Sequence, residues 1–219
     1  MPINEKYIED FVENDFMHII CKSISGSVLF KDEENKLYFL QKYAQYSTGY
    51  LSTYSYILLD NHSHFLVKCT NSNELKSYLR SLSEDLLKTH QKKYLRNEIC
   101  YNQAVEFQMK DFFIAYAMAF NKKNNRSGSL FVNPFRRVRI SDEVHLYQLI
   151  IYIHANTLKH NIYTEFQNYK WSSFQTILSE KKTILKREEV LDFFNGRNNF
   201  VKQHQIQSQY FYVCNHQME

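Results

Sequence analysis

The sequence predicts an α+β fold with an antiparallel sheet and a C-terminal helical extension. A chain of 219 residues with 44% hydrophobic residues is long and apolar enough to bury a core. Only 4 glycines and 2 prolines argue against a sandwich of many tight turns and favour helices with a modest sheet. The apolar patterns also switch between strand and helix periods along the chain.

The first half of the chain predicts a strand, a helix and a hairpin. Residues 16–22 form a short apolar run of strand length. Residues 31–46 carry acidic side chains early and apolar positions at helical spacing. Residues 54–59 and 64–69 are two further apolar runs, and Asp60-Asn61 between them predicts a tight turn because both side chains tolerate turn geometry.

The middle of the chain predicts two helices and a fourth strand. Helical spacing covers residues 74–89 and 104–121, the polar stretch 121–129 is a loop, and residues 135–140 form a strand. The order strand, helix, strand, strand, helix, strand is the split β-α-β arrangement of ferredoxin-like folds.

The best-defined helix is predicted over residues 141–160. Ser141 is the expected N-cap, and Asp142 and Glu143 suit the first turn, where the helix dipole favours acidic residues. A buried stripe follows the i, i+3, i+4, i+7 rule at Leu146, Leu149, Ile150 and Ile153.

Three polar side chains share one flank of that stripe. At about 100° per residue, Tyr152 and Asn156 lie together, with His145 two turns earlier on the same flank. His154 falls on the other flank, and we interpret it as structural. On pattern alone, the favoured interpretation of Tyr152 is an amphipathic side chain on a helix shoulder, because the chain has 17 tyrosines.

The pair His62 and His64 is the main candidate for metal binding. Two histidines one residue apart on a strand project from the same face, and both can reach one divalent cation. A solvated strand edge is the alternative interpretation of the same spacing.

Composition limits the class of protein. The net charge of +4 and pI near 8.7 are compatible with nucleic acid without requiring it. The four cysteines are dispersed, which predicts reduced thiols rather than disulfides or a zinc finger. A hydrophobic signal core and an apolar run of about 18 residues are both missing, so we expect a cytoplasmic protein with no membrane partner.

Four motifs occur in order: DNHSHFLV at 60–67, RSGSLF at 126–131, YIHAN at 152–156 and YKWSSF at 169–174. Together they resemble the REP-associated tyrosine transposases, a branch of the single-tyrosine HUH transposase superfamily. The similarity runs from about residue 16 to 174, and a helix at 185–197 resembles the family's C-terminal extension. The resemblance implies a catalytic domain over residues 1–175 and a helical extension and tail over 176–219.

The resemblance also implies a function, namely cutting and rejoining single-stranded DNA near hairpins through a 5′-phosphotyrosine. His62 and His64 match the paired metal ligands, Tyr152 matches the nucleophile, and Asn156 matches the side chain that completes the metal site. The expected cofactor is Mg²⁺ or Mn²⁺, and the expected partner is single-stranded or hairpin DNA. Monomer and homodimer are both compatible with the resemblance.

Three positions depart from the family pattern. Ser63 replaces a hydrophobic residue between the histidines, Thr157 replaces a proline, and Asn161 replaces a glycine. These changes motivate one alternative, a non-catalytic protein that binds hairpin DNA and regulates it. A third possibility is a metal phosphoesterase acting on RNA or small molecules.

Basic side chains that follow the helix predicted over residues 104–121 are the candidates for DNA contact. Arginines on a strand beside a metal site can neutralise phosphates and stack on bases. A solvated basic surface is the alternative for each of them. The candidates are Arg136, Arg137, Arg139, Lys122, Lys123, Arg126 and His145.

Overall fold

The computed structural model describes residues 7–159 and 165–213, and Asn161 lies outside this range. Its centre is a four-stranded antiparallel sheet in the order β2-β3-β1-β4. The strands are β1 (Phe16–Lys22), β2 (Leu51–Leu59), β3 (His62–Cys69) and β4 (Arg136–Ile140). This order confirms the predicted split β-α-β arrangement.

Eight α-helices lie within the described residues. They are α1 (Glu33–Ser47), α2 (Ser72–Ser81), α3 (Thr89–Leu95), α4 (Tyr101–Lys123), α5 (Glu143–Lys159), α6 (Phe174–Leu178), α7 (Arg187–Phe193) and α8 (Arg197–Val213). None of these helices is both long and apolar enough to cross a membrane.

Helices cover both faces of the sheet. On one face α1 and α4 pack together, with Phe39 against Phe112 at 5.0 Å and Tyr43 stacked on Phe65 of β3 at 4.2 Å between ring centroids. On the other face α5 packs against β2 and β3, and α8 packs on the outer side of α5. The sheet face below α5 is therefore buried by α5 and α8, on the opposite side of the sheet from α1 and α4.

Two predicted helices have different limits in the structure. The helix predicted over 74–89 is α2, which begins at a capping box between Asn71 and Glu74 and ends at Ser81, followed after a break by α3. The helix predicted over 185–197 is interrupted, because Asn195 and Gly196 adopt left-handed φ values of 54° and 103°. The Gly196 N–H donates to Leu191 O at 2.8 Å, which ends α7 before α8 begins.

The start of α5 also differs from the prediction by one residue. The carboxylate of Asp142, rather than the hydroxyl of Ser141, accepts the backbone N–H of His145 at 2.7 Å. Asp142 is therefore the N-cap, and Glu143 is the first helical residue.

Candidate functional site

Strand β3 carries the histidine pair to the face below α5. Its side chains alternate, so Ser63 and Phe65 point to the α1–α4 layer, while His62 and His64 point the other way. The two imidazole centroids are 5.1 Å apart. Ser63 lies opposite Cys21 of β1 on the α1–α4 side, where burial raises the pKa of the Cys21 thiol to about 12.

Helix α5 brings Tyr152 to the same place. The Tyr152 ring meets His64 edge-on, with ring centroids 5.9 Å apart and an interplanar angle of 87°. Tyr152 is 2% exposed and His64 is fully buried. Because β4 ends at Ile140, opposite Phe16, α5 starts at the far end of the sheet and runs towards His62.

Asn156 lies one turn after Tyr152 in that direction. The turn advances about 6 Å along the helix, close to the spacing between His64 and His62 along β3. The Asn156 side chain is 1% exposed, and neither Oδ1 nor Nδ2 has a hydrogen-bond partner among the residues described. A buried amide in this state is rare and costs about 1–3 kcal/mol, so it calls for an explanation.

Hydrogen bonds orient the two imidazoles. Nδ1 of His62 is 2.6 Å from Oδ1 of Asn61, which can only accept, so Nδ1 carries the proton and the lone pair lies on Nε2. Nδ1 of His64 is 2.9 Å from Nε2 of His18. The Nε2 atoms of His62 and His64 are both buried. This is the arrangement in which a histidine ligand is held by a partner on its other nitrogen.

His18 is a member of the cluster that sequence reasoning missed. It lies on β1, with its ring stacked on that of His64 at 5.2 Å and 24°. A single histidine inside an apolar strand carries no spacing signal. Only the antiparallel pairing of β1 with β3 brings it to the histidine pair.

Donor atoms for a divalent cation lie on the side of the sheet that α5 covers. No group of three His, Cys, Asp or Glu side chains is placed to hold a metal within the described parts of the chain. The candidate donor set is instead two imidazole nitrogens and the amide oxygen of Asn156. Such a set leaves positions open for phosphate and water.

The three arginines of β4 are placed differently from one another. Arg136 points to the α5 face, and its guanidinium lies 4.9 Å from the Tyr7 ring centroid. Arg137 points to the α1–α4 layer and is 3% exposed, with Nη2 3.6 Å from Glu106 and Nε donating to a backbone carbonyl at 2.7 Å. Burial lowers the pKa of Arg137. Its position serves packing rather than contact with a ligand at the surface.

The remaining predicted DNA contacts lie away from the histidine pair or are already engaged. Arg139 is exposed and 3.4 Å from Asp15. Lys122 and Lys123 end α4, and Lys123 is 2.7 Å from Glu34 of α1, in the layer across the sheet from α5. Arg126 donates to Asn121 Oδ1 at 2.8 Å in the loop after α4. His145 is half-buried in the first turn of α5.

His154 has the structural role expected from its flank. It is fully buried, and both ring nitrogens are hydrogen-bonded, to His204 at 2.8 Å and to Ser173 at 2.7 Å. Burial, and then the neighbouring His204, lower its pKa well below the ordinary value.

Comparisons with known proteins place the fold. No family model matches the chain, and no curated protein matches it. Among solved structures, the chain is similar to a REP-associated tyrosine transposase bound to a REP hairpin, with a TM-score of 0.53 and 12% identity. The match covers 90% of this chain and 98% of that one. The resemblance inferred from the four motifs is thus confirmed at the level of the fold.

Proposed function

With the fold of a tyrosine transposase as premise, we propose that this protein is a metal-dependent transesterase that nicks and rejoins single-stranded DNA near hairpins. The observation that carries the proposal is the buried, unsatisfied amide of Asn156, one helical turn from Tyr152, whose ring contacts His64. A cation held by this set would bind Oδ1 of Asn156, one of the two amide atoms that have no partner among the described residues.

The chemistry follows from the residues. When bound, Mg²⁺ or Mn²⁺ supplies charge that polarises the scissile phosphate. The Tyr152 oxygen attacks the phosphorus and loses its proton, the P–O3′ bond breaks, and the 3′-oxygen leaves as a hydroxyl after taking up a proton. The 5′-phosphotyrosine keeps the energy of the phosphodiester, so a 3′-hydroxyl can attack it in turn and release Tyr152 without ATP.

Basic residues on the same side of the sheet are the proposed phosphate contacts. Lys22 lies opposite His62 in the pairing of β1 with β3, and Arg136 lies opposite Ile20 in the pairing of β1 with β4. We expect these two to carry more of the DNA affinity than Lys123 or the buried Arg137. Hairpin DNA is the proposed partner because the similar solved structure holds a REP hairpin.

One observation favours a second candidate, a hairpin-binding regulatory protein that does not cleave. Tyr152 and Asn156 are 2% and 1% exposed, so a scissile phosphate can reach them only if the structure above them opens. A protein that only binds hairpins needs no such opening.

The experiment that separates these candidates uses purified protein, Mn²⁺ and a panel of hairpin-flanked single-stranded oligonucleotides. If the protein is a transesterase, we expect it to cleave the oligonucleotide and to form a covalent protein–DNA adduct. Both should be lost when EDTA replaces Mn²⁺. Binding without cleavage across the panel supports the regulatory protein. Cleavage that survives Tyr152→Phe but not His62→Ala points to a metal phosphoesterase.

A further inference from the structure

A continuous chain of buried hydrogen bonds joins α5 to α8 and to strand β2. Nδ1 of His154 on α5 is 2.8 Å from Nε2 of His204 on α8, and Nδ1 of His204 is 2.8 Å from Phe200 O. On its other side, Nε2 of His154 is 2.7 Å from Oγ of Ser173. That oxygen in turn accepts the backbone N–H of Tyr56 in β2 at 2.9 Å.

The protons in this chain can be assigned from its ends. Phe200 O can only accept, so His204 carries its proton on Nδ1 and accepts on Nε2. His154 must then donate from Nδ1 and accept on Nε2, and the hydroxyl of Ser173 supplies that proton. The Ser173 hydroxyl also lies 3.3 Å from Tyr56 O, but the shorter contact to His154 is the one that completes the chain. Both histidines are neutral in this arrangement, and each has both ring nitrogens engaged.

Aromatic rings enclose the His204 end of the chain. Phe200, Phe174 and Phe194 have ring centroids 4.1, 5.2 and 5.3 Å from that of His204. His154, His204 and Ser173 are all fully buried. In such a dry environment a hydrogen bond is stronger than in water, and losing one partner leaves an unpaired polar group at high cost.

This series of hydrogen bonds contacts α5 on the side away from the candidate site. At about 100° per residue, His154 is turned by about 160–200° from both Asn156 and Tyr152 on the helix. In sequence, His154 lies midway between Tyr152 and Asn156. A small rotation of α5 would therefore move the Tyr152 oxygen and the Asn156 amide together, and the bonds to His204 and Ser173 oppose that rotation.

We propose that His154 and His204 are positioning residues, through which α8 and β2 hold α5 at the rotation that presents Tyr152 and Asn156 to His62 and His64. The proposal rests on the proposed function and adds a part of the chain outside the four motifs to the catalytic apparatus. His204 lies outside all four motifs, and no ligand needs to touch it.

The test compares two substitutions of His204 in the full chain. His204→Leu removes the acceptor for His154. His204→Gln keeps an amide oxygen close to the position of Nε2 and can accept the same proton. The matched control is Phe112→Leu in the α1–α4 layer, which loosens the core without touching α5. All variants are assayed well below their melting temperatures.

The first readout is the rate of adduct formation with saturating Mn²⁺ and hairpin oligonucleotide. We expect His204→Leu to lower the rate constant about 10- to 100-fold, the range for a small misplacement of reacting groups. His204→Gln should recover most of the rate, and hairpin Kd should stay within about 2-fold for both, since DNA contacts lie elsewhere. A purely structural role predicts instead that Phe112→Leu and His204→Leu lower the rate alike, which would overturn the proposal.

The second readout does not depend on activity. In ¹⁵N-labelled protein both His154 and His204 should be protonated on Nδ1, and the side-chain amide resonance of Asn156 should shift in His204→Leu and return in His204→Gln. If the wild type forms no adduct, the proposed function fails and this readout alone decides on positioning. If the Asn156 side-chain resonance does not shift in His204→Leu, the proposed positioning role of His204 is wrong.

Discussion

The Nε2 atom of His18 lies 2.9 Å from Nδ1 of His64, across two neighbouring strands of the sheet. With the proton of His64 on Nδ1, this contact leaves the lone pair of Nε2 for a ligand role. His62 is held in the same way by Asn61. Each member of the candidate ligand pair thus has its own orienting partner.

Substituting His18 should weaken metal binding without removing a ligand. We expect His18→Ala to lower Mn²⁺ affinity about 10- to 100-fold, the usual cost of losing an orienting partner. Titration calorimetry on the metal-free protein measures it. His90→Ala on α3 is the matched control, since that ring is bonded to Gln108 rather than to the cluster, and it should leave the affinity unchanged.

Replacing Asn156 by leucine should separate stability from metal binding. Asn156→Leu removes a buried, unsatisfied amide at similar volume, so the metal-free protein should gain about 1 kcal/mol in the free energy of unfolding. Its stabilisation by Mn²⁺ should disappear because that effect requires binding to the folded state. Denaturant unfolding in EDTA and in Mn²⁺ measures both.

Thr157→Val is the control for this experiment. The Thr157 hydroxyl is also buried and has no hydrogen-bond partner within the described residues. Its replacement should stabilise the metal-free protein in a similar way but keep the response to Mn²⁺. Loss of the Mn²⁺ response in Thr157→Val, or its survival in Asn156→Leu, would remove Asn156 from the ligand set.

The buried His204 predicts a specific pH dependence of stability. Burial lowers the pKa of His204 from 6.5 to about 3, so between these values the unfolded chain binds a proton that the folded protein excludes. The contribution of neutral His204 to the free energy of unfolding is complete above pH 6.5. It is lost as pH falls towards 3, by up to about 1.4 kcal/mol per pH unit. Urea unfolding across this range should show a smaller slope in His204→Gln, and equal slopes would disprove the assignment.

Arg136 and Arg137 are adjacent in sequence but should behave oppositely. Arg136→Ala should weaken hairpin binding and reduce the slope of log K against log salt by about 1, as expected for one lost phosphate contact. Arg137→Met should lower the free energy of unfolding by about 1–3 kcal/mol and leave that slope unchanged, because the guanidinium is buried against Glu106. A reduced salt slope in Arg137→Met would reverse their roles.

Local patterns were sufficient for much of the fold, because each depends on neighbours in sequence. Alternation along β3 predicted that His62 and His64 share a face, and helical spacing predicted that Tyr152 and Asn156 share a flank. The structure places Tyr152 at His64, as the combined patterns require. The break at Asn195-Gly196 was missed because the apolar spacing continues across it, and only the left-handed backbone ends the helix.

Features that depend on contacts distant in sequence could not be predicted. His18 joins the cluster through strand pairing 46 residues away, and His204 meets His154 across 50 residues. Arg137 differed from Arg136 only in the face that it occupies, which the sequence could not assign without the register of β4 on β1. The burial of Tyr152 likewise follows from packing between α5 and the sheet.

The most direct test of the account is to incubate the wild type and Tyr152→Phe with Mn²⁺ and a hairpin-flanked oligonucleotide and to map any adduct by mass spectrometry. We expect one DNA-modified peptide in the wild type, with the phosphate on Tyr152. Tyr152→Phe should form no adduct, and its hairpin affinity should stay within a few-fold of that of the wild type. An adduct in Tyr152→Phe, or one mapped to another residue of the wild type, would contradict it.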